Sequence, residues 1–273
     1  MPASITLPPT FREHLDASPD ALIGLWSCAG SQIITEIVAS SGCDWVLVDT
    51  EHSPLGLEST LAQLYAMSAY AATPVVRVPY GDTVVIKQVL DLGAQNLLVP
   101  MVDSAEQAQR IVEATRYPSA GVRGVGAALA RSSRWNRVGE YLANAGDTIS
   151  LTVQIESVRA VEAIDEILAV DGIDAVFIGP ADLAASAGHL GNPADAEVQR
   201  LVEHVIERAQ DAGMPVGVNA FVPADAQRYI DMGVDFVAVG ADVALLARST
   251  EAVVQQFRSH DATGSPAGER ASY

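Results

Sequence analysis

The sequence predicts a single-domain α/β protein with the fold of a (β/α)8 TIM barrel. Eight short apolar runs alternate with eight patterns of helical period, which is the order that a barrel of parallel strands requires. The chain has 273 residues and is 49% hydrophobic, which is enough for one large core. An open, doubly wound sheet is the alternative. Its Gly-rich fingerprint is missing, because residues 121–126 have the wrong spacing and do not directly follow a strand.

The chain divides into three predicted parts. Residues 1–20 are polar and contain prolines, so we expect an arm that packs on the body or on a neighbouring subunit. Residues 21–258 contain the barrel, and residues 259–273, rich in Ser, Gly and Ala, predict a disordered tail. The predicted strands are residues 22–26, 45–48, 75–78, 96–99, 150–155, 175–178, 216–218 and 236–239.

The predicted helices follow the strands in order. Several of them stop at a glycine directly before the next strand, as at Gly42, Gly93, Gly213 and Gly233. A glycine at this position is the usual C-terminal cap of a helix. The predicted helices are residues 33–40, 57–69, 84–92, 105–114, 159–168, 196–212, 224–232 and 241–257.

Charge and composition exclude several classes of function. The 34 acidic and 16 basic residues leave a net charge of −18, and such a surface repels nucleic acid. No apolar run approaches the roughly 20 residues of a membrane span, and residues 1–20 lack the order of a signal peptide, so a cytoplasmic protein is expected. Cys28 and Cys43 form neither a disulfide framework nor a zinc pattern and are predicted to be buried, reduced thiols.

The single lysine, Lys87, lies in the helical pattern 84–92. A Schiff-base enzyme needs a desolvated lysine in its site, so a Schiff-base lysine is not expected. No nucleotide cofactor is expected either, because the Gly-rich fingerprint is missing. Since the chain is strongly acidic, an anionic substrate would need positive charge within its site, which a metal ion and one arginine could supply.

The connection between the fourth helix and the fifth strand, residues 116–148, is much longer than the others. A long connection in a compact barrel is usually functional or part of an interface. This one also carries five of the fifteen arginines of an acidic chain. These are Arg116, Arg123, Arg131, Arg134 and Arg137.

Ionisable residues follow four of the predicted strands, at the end where barrel enzymes place their catalytic groups. They follow strands two, three, five and six, whereas strands one, four, seven and eight end in Ser27, Pro100, Asn219 and Gly240. Polar groups at four strand ends on one rim are difficult to explain by packing. This rim is therefore the predicted active site.

Two carboxylates at this rim, Glu156 and Asp182, are separated by 182 − 156 = 26 residues, about one βα repeat. Asp182 lies after Gly179 and Pro180 in the segment FIGPADL (177–183), which reads as the first turn of a helix. Two hard oxygen donors without a Cys or His cluster suit Mg²⁺, Mn²⁺ or Co²⁺. Alternatively, Asp182 only caps its helix, and Glu156 forms a buried salt bridge with an arginine of the long loop.

Two further features place substrate groups beside these carboxylates. Gln154 precedes Glu156 by two residues, so it points to the same face of its strand and could orient a ligand or water. The free N–H groups of the first helical turn, at Ala181 and Asp182, are expected to bind a substrate carboxylate.

His52 is the predicted proton-transfer group, because the unperturbed pKa of histidine is about 6.5. Asp49, three residues earlier, is expected to set the tautomer and orientation of the imidazole. Glu51, between them, is left without a role.

Arg77 follows a strand whose end should be buried, so its guanidinium needs an anionic partner. In a functional role it would polarise a keto oxygen and stabilise an enolate. In a structural role it would pair with Asp49 or Glu51, and both roles remain open.

Together these residues resemble the HpcH/HpaI aldolase family of metal-dependent pyruvate aldolases. The likeness runs from about residue 22 to about residue 257 without an obvious gap. The matching segments are 45–52, 74–79, 86–95, 97–102, 116–118, 121–126, 153–156 and 177–183.

The resemblance implies a barrel with Glu156 and Asp182 as ligands of a divalent metal. It also implies that Arg77 contacts the pyruvate oxygen, and that His52 acts with Asp49 in proton transfer. It further implies a homohexamer in which the last helix packs on, or is swapped with, a neighbouring subunit. Two positions depart from the family pattern: Ala184 replaces a usual serine, and Asn219 replaces a usual aliphatic residue at the rim, where it could contact the aldehyde.

The activity that the resemblance implies is reversible aldol cleavage of a 4-hydroxy-2-oxo acid to pyruvate and an aldehyde, through a metal-bound pyruvate enolate. A citrate-lyase-like enzyme acting on acyl-CoA is an alternative, but it would want a basic surface for the nucleotide. A non-catalytic binder of keto acids is a third possibility. The predicted substrate-binding residues are Arg77, Gln154, Gly179, Pro180, Ala181, Asp182 and Asn219.

Overall fold

Eight parallel strands close into a barrel in sequence order, with β1 paired to both β2 and β8. The computed structural model describes residues 5–258, so the predicted tail 259–273 lies outside the described residues. The TIM-barrel prediction is confirmed, and all eight predicted strands are present with ends shifted by at most two residues. The strands are β1 (Leu22–Ser27), β2 (Trp45–Asp49), β3 (Thr73–Arg77), β4 (Asn96–Val99), β5 (Ser150–Ile155), β6 (Ala175–Ile178), β7 (Val216–Asn219) and β8 (Phe236–Ala241).

Helices surround the barrel, and the described chain contains one before β1 and at least one after each strand. The predicted helix 159–168 is two helices, because the backbone leaves helical geometry at Ala163. Gly42, Gly93, Gly213 and Gly233 all have positive φ, as helix caps of this kind require. The helices are α1 (Phe11–Ala17), α2 (Gln32–Ala39), α3 (Leu57–Met67), α4 (Thr83–Asp91), α5 (Ala105–Thr115), α6 (Tyr141–Asn144), α7 (Val158–Glu162), α8 (Ile164–Leu168), α9 (Pro180–Ser186), α10 (Ala196–Asp211), α11 (Pro223–Asp231) and α12 (Asp242–Arg258).

Helix α1 was not predicted, although the sequence carries a signal for it. Thr10 accepts a hydrogen bond from the N–H of Glu13, and the Glu13 carboxylate accepts one from the N–H of Thr10. This capping box starts the helix directly after two prolines. The arm is therefore not irregular, and α1 inserts Phe11, 1% exposed, into the N-terminal end of the barrel.

Aromatic side chains close this end. The ring of Phe11 lies 5.6 Å from that of Trp45 and 5.1 Å from that of Phe236. Gly24 and Gly217 leave room for these rings, since a Cβ at either position would overlap Trp45 or Phe236. The C-terminal end of the barrel is left free for polar groups.

The long loop 116–148 also lies at the N-terminal end, because it joins the end of α5 to the start of β5. It is folded into α6 and three short 3₁₀ turns. Arg123 is fully buried, and its Nη2 donates to Asp91 at the end of α4 at 2.8 Å. The prediction that this loop is functional or part of an interface is not tested by its position.

No helix within residues 5–258 is both long enough and apolar enough to cross a lipid bilayer.

Candidate active site

The predicted site residues meet at the C-terminal ends of the strands. Asp49 ends β2 and Arg77 ends β3, and the two residues are direct neighbours in the parallel ladder. Gln154 lies near the end of β5, with Glu156 directly after that strand, and Gly179 directly follows β6. The barrel therefore brings together side chains that are far apart in sequence.

Arg77 is the centre of a buried charge cluster and is only 2% exposed. Its Nε lies 2.9 Å from Oδ1 of Asp49, and its Nη1 lies 2.9 Å from Oε2 of Glu51. The guanidinium also stacks 4.4 Å from the ring centroid of Trp26. Burial opposes the charge, but the hydrogen bond and the charge of Asp49 outweigh it and raise the pKa of Arg77.

The structural reading of Arg77 is confirmed for Nε and Nη1, and the functional reading stays a prediction. The ion pairs with Asp49 and Glu51 occupy Nε and Nη1, whereas Nη2 is buried and has no hydrogen-bond partner within residues 5–258. A buried donor without a partner costs about 1–3 kcal/mol. The ion pairs fix the position of the guanidinium. Nη2 can still donate a hydrogen bond to an oxygen atom of a ligand.

Within residues 5–258 the hydrogen bonds of the Asp49 carboxylate do not include the His52 imidazole, and the orienting role of Asp49 stays a prediction. The Asp49 carboxylate accepts hydrogen bonds from Arg77, from the N–H of Glu51 at 3.0 Å and from Ser53 Oγ at 3.2 Å. The His52 side chain is 67% exposed, and its Nε2 lies 3.8 Å from Oε2 of Glu51. Asp49 ends β2 beside the buried Arg77, whereas His52 lies in the loop after that strand.

Glu156 is a buried carboxylate, 2% exposed. Its Oε1 accepts a hydrogen bond of 2.7 Å from the N–H of Met101, and its Oε2 accepts one from Nε2 of Gln154. The same-face prediction for Gln154 is confirmed. The alternative of an ion pair with an arginine of the long loop is wrong, since no such pair forms in the described chain.

Burial raises the pKa of Glu156 to about 8, although the N–H of Met101 opposes the rise, and the negative charges of Asp182 and Glu51 raise it further. Carboxylates that repel one another in a buried site are stabilised by a cation between them. Within residues 5–258 no three His, Cys, Asp or Glu side chains form a complete metal site. Two carboxylates are a donor set that Mg²⁺ can use, since this ion commonly takes one or two carboxylates and fills its other positions with water or substrate.

Glu156 and Gln154 can approach the backbone after β6 because Gly179 has no side chain. A Cβ added there would lie 2.6 Å from Oε2 of Glu156 and 2.8 Å from Nε2 of Gln154. Any side chain would displace both groups. The absence of a side chain at Gly179 thus preserves the position of the buried carboxylate.

Helix α9 begins at Pro180, as predicted from the segment 177–183. The N-cap residue Gly179 has no side chain to cap the helix, and the first backbone bond back to it comes from Leu183 at 3.0 Å. The N–H groups of Ala181 and Asp182 are thus in the uncapped first turn of the helix. The Asp182 side chain is exposed at the rim.

Other polar atoms at this end are buried without a partner in the described chain. They include Nε1 of Trp26, Oε1 of Gln154 and Oδ1 of Asn219. Asn219 lines a cavity of about 290 Å³ together with Pro180, Ala181 and Phe221. Buried polar atoms in proteins are usually hydrogen-bonded, and a bound molecule is one partner that could supply the bond.

Trp26 is the residue that sequence reasoning missed, because strand one was judged by its last residue, Ser27. Its ring stacks on Arg77 and lies edge-on to Phe221, with ring centroids 5.7 Å apart. A bulky aromatic residue one position before a strand end was the available signal.

Lys87 lies outside this site, on α4 beside Gly124 of the long loop. Cys28 and Cys43 are free and half-buried.

Comparisons with known proteins agree with this geometry. The family model for the HpcH/HpaI aldolase/citrate lyase family matches residues 22–249. A hydroxypyruvate/pyruvate aldolase from Pseudomonas aeruginosa is 48% identical over 262 residues, which is 96% of this chain and 96% of the relative. A 4-hydroxy-2-oxo-heptane-1,7-dioate aldolase from Klebsiella pneumoniae is 49% identical over 96% of this chain and 98% of its own.

A solved structure gives the same result. A HpcH/HpaI aldolase/citrate lyase family protein from Burkholderia cenocepacia superposes with a TM-score of 0.87 at 36% identity, covering 91% of this chain and 98% of that one. The family match spans the whole barrel, including every residue of the polar rim described above. This chain belongs to the HpcH/HpaI aldolase/citrate lyase family.

Proposed function

We propose that this protein is a class II, divalent-metal-dependent aldolase, which reversibly cleaves a 4-hydroxy-2-oxo acid to pyruvate and an aldehyde. The observation that carries the proposal is the buried carboxylate of Glu156, held beside Asp182 and beside a guanidinium with one free nitrogen. The relatives named as aldolases of pyruvate and of a 4-hydroxy-2-oxo acid support the same chemistry. They favour it over the acyl-CoA lyase and the non-catalytic binder.

Glu156 and Asp182 are the residues that would hold the metal, with Mg²⁺, Mn²⁺ and Co²⁺ as the candidate ions. When bound, the ion supplies Lewis-acid polarisation of the 2-keto group. Gln154 donates to Glu156 and so holds its carboxylate in position. Its Oε1, buried without a partner, can accept a hydrogen bond from a water molecule or a substrate hydroxyl.

Arg77 stabilises the charge that develops during cleavage. As the bond between C3 and C4 breaks, its electron pair moves toward the 2-keto oxygen, and Nη2 of Arg77 donates to that oxygen. Because Asp49 and Glu51 already hold the other side of the guanidinium, the donor needs no reorganisation at the moment of reaction. Trp26 stacks on the guanidinium and covers it from water.

His52 moves the proton of the 4-hydroxyl group. In the cleavage direction the imidazole takes this proton as C4 becomes the aldehyde carbon, and it returns the proton in the condensation direction. Its exposure at the rim leaves it free to reach the substrate or a bridging water, and Glu51 lies beside Nε2. The substrate carboxylate is assigned to the N–H groups of Ala181 and Asp182, which no side chain caps.

The proposed homohexamer rests on the resemblance and is supported by the exposed surface of helix α12. Helix α12 exposes Leu245, Leu246 and Phe257, with Phe257 81% exposed. Apolar side chains exposed along one helix support packing of α12 on a neighbouring subunit of a homohexamer. Sedimentation of the purified protein tests the oligomeric state directly.

The test of the activity avoids choosing an aldehyde. The protein is incubated with pyruvate in D₂O with Mg²⁺, with Mn²⁺ or with EDTA, and the methyl protons are followed by NMR. We expect exchange of the methyl protons with either metal and none with EDTA. The double variant Glu156→Gln/Asp182→Asn should abolish it. The control Glu106→Gln/Asp165→Asn, which changes two carboxylates that are 84% and 64% exposed, should exchange like the unmodified protein.

The other outcomes separate the alternatives. No exchange with any metal would contradict the proposal. Cleavage of a CoA thioester in the same preparation would select the citrate-lyase-like enzyme, and pyruvate binding without exchange or cleavage would select the non-catalytic binder.

A further inference from the structure

A second cavity lies at the N-terminal end of the barrel, opposite the polar rim, and we call it the arm cavity. It has a volume of about 440 Å³ and is enclosed by residues 6–9 of the arm, the end of α3, residues 70–74, and the turn between α4 and β4. His14 of α1 and Arg131 and Arg134 of the long loop form the remaining walls. Its size is that of a site for a small molecule.

The two arginines converge on one point of this wall. A Cβ placed on Gly93 would lie 2.7 Å from Nη1 of Arg131 and 2.9 Å from Nη1 of Arg134. Both guanidiniums thus approach the same glycine, whose missing side chain makes room for them. Arg131 donates to the carbonyl of Leu92 at 3.0 Å, and Arg134 donates to the carbonyl of Arg131 at 2.7 Å.

Neither guanidinium has an acidic partner. Eight other arginines form ion pairs within residues 5–258, but Arg131 and Arg134 form none there. The chain has 34 acidic residues, so this pairing is absent despite an excess of carboxylates. Burial lowers the pKa of Arg131, and burial together with the charge of Arg131 lowers that of Arg134.

Two charged guanidiniums that share a half-buried wall are stabilised by an anion between them. Arginine remains protonated at neutral pH and presents a planar fork that matches a carboxylate. Each guanidinium uses one N–H for a backbone carbonyl and keeps others for a ligand. The pair therefore has the donor capacity to bind one carboxylate between the two side chains.

The other walls of the arm cavity are mainly apolar. Leu7 and Pro8 come from the arm, and Leu64 and Met67 come from α3. Tyr65 of the same helix stacks under Arg131, with its ring centroid 4.6 Å from the guanidinium carbon. Apolar walls around a charged point favour a ligand with an apolar body and one anionic end.

We propose that the arm cavity binds a small organic carboxylate with an apolar body, whose carboxylate lies between Arg131 and Arg134. The volume of about 440 Å³ and the paired guanidiniums at one wall suit a small molecule with one anionic end. The site is separate from the proposed catalytic residues. It does not depend on the proposed aldolase activity, because binding is measured without turnover.

The experiment uses benzoate as the probe and isothermal titration calorimetry with the full chain. We expect saturable binding that persists in the presence of saturating pyruvate. Arg131→Gln/Arg134→Gln should weaken it at least about tenfold, since charge-assisted hydrogen bonds to the carboxylate are lost. The control Arg137→Gln changes an exposed arginine of the same loop outside the cavity and should bind benzoate like the unmodified protein.

A second variant, Ala71→Trp, fills the cavity from an exposed position and leaves both arginines in place, so it tests the site even if the double variant is unstable. It should also abolish binding. Benzyl alcohol, which lacks the charge, should bind much more weakly than benzoate, and inorganic phosphate, which lacks the apolar body, should not compete.

Three results would overturn the proposal. One is benzoate binding that is unchanged by both variants. The second is equal binding of benzyl alcohol, which would show an apolar pocket only. The third is dissociation of the oligomer in the double variant without any binding of benzoate to the unmodified protein, because the arginines would then pair with a carboxylate of a neighbouring subunit.

Discussion

The two ends of the barrel bury different kinds of side chain, aromatic at the N-terminal end and charged or polar at the C-terminal end. At the N-terminal end the rings of Phe11, Trp45, Phe177 and Phe236 pack with centroids 5.1–6.2 Å apart, and the indole N–H of Trp45 donates to the carbonyl of Leu22 at 3.2 Å. At the C-terminal end Nε1 of Trp26 and Nη2 of Arg77 are buried without a partner in the described chain. Buried polar atoms without a partner in the described chain also occur at the N-terminal end, as in Arg123, so the ends differ in their surroundings: aromatic rings at one and a charge cluster around Arg77 at the other.

The N-terminal end therefore contributes mainly to stability, and the C-terminal end carries the residues of the proposed chemistry. Aromatic packing at the N-terminal end stabilises the fold, since buried rings contribute both apolar area and favourable ring contacts. We therefore expect substitutions at the N-terminal end to change unfolding, and those at the C-terminal end to change turnover.

The largest expected effect is on stability, from Phe11→Ala. Removing this fully buried ring should lower the free energy of unfolding by about 3–5 kcal/mol, because a cavity remains at the closed end of the barrel. Urea denaturation measures the loss. Phe221→Ala, which removes a half-buried ring at the rim, should cost less. A fall in kcat/KM of the folded Phe11 variant would show that the two ends are not separate.

Arg77→Lys should lower kcat by about 10²–10³-fold, because lysine keeps the charge but cannot hold both carboxylates and also donate to the substrate oxygen. Steady-state kinetics of retro-aldol cleavage measures this. The matched control is Arg123→Lys, a fully buried arginine that pairs with Asp91 at the other end. It should lower stability and leave kcat unchanged; equal losses of kcat in both variants would contradict the comparison.

His52→Ala should slow cleavage by about 10²-fold, since the group that takes the hydroxyl proton is lost. The metal-dependent exchange of pyruvate methyl protons should fall less, because it does not involve the 4-hydroxyl. His204→Ala, an exposed histidine on α10, serves as the control. Full retro-aldol rate across pH in the His52 variant would remove this residue from the mechanism.

The smallest effect is expected from Asn219→Leu, and it concerns specificity. Oδ1 of Asn219 is buried without a partner beside the rim cavity of about 290 Å³, so it is available to a hydroxyl group of the aldehyde. The variant should shift the preference for glycolaldehyde over propionaldehyde by about tenfold toward the apolar aldehyde. Ratios of kcat/KM measure it. The control Ala184→Ser should leave the ratio unchanged, and the same ratio in both variants would exclude this role of Asn219.

Much of the barrel could be predicted, because the signals for it are local. Apolar period, helix caps and the positions of glycines act over a few residues, and they located all eight strands and the start of α9. Helix α1 was missed even though its capping box, Thr10 and Glu13, is local as well. The break at Ala163 was missed because no proline or glycine marks it.

The sequence by itself determined which residues stand at the ends of the strands, and therefore which chemistry is available at the rim. Only the tertiary structure decided which of these side chains meet. It paired Arg77 with Asp49 and Glu51, left His52 exposed in the loop after β2, and placed Trp26 over the guanidinium. The physical reason is that strand position follows from local pattern, whereas contact between side chains depends on the register of neighbouring strands and on side-chain direction, which many distant residues set together.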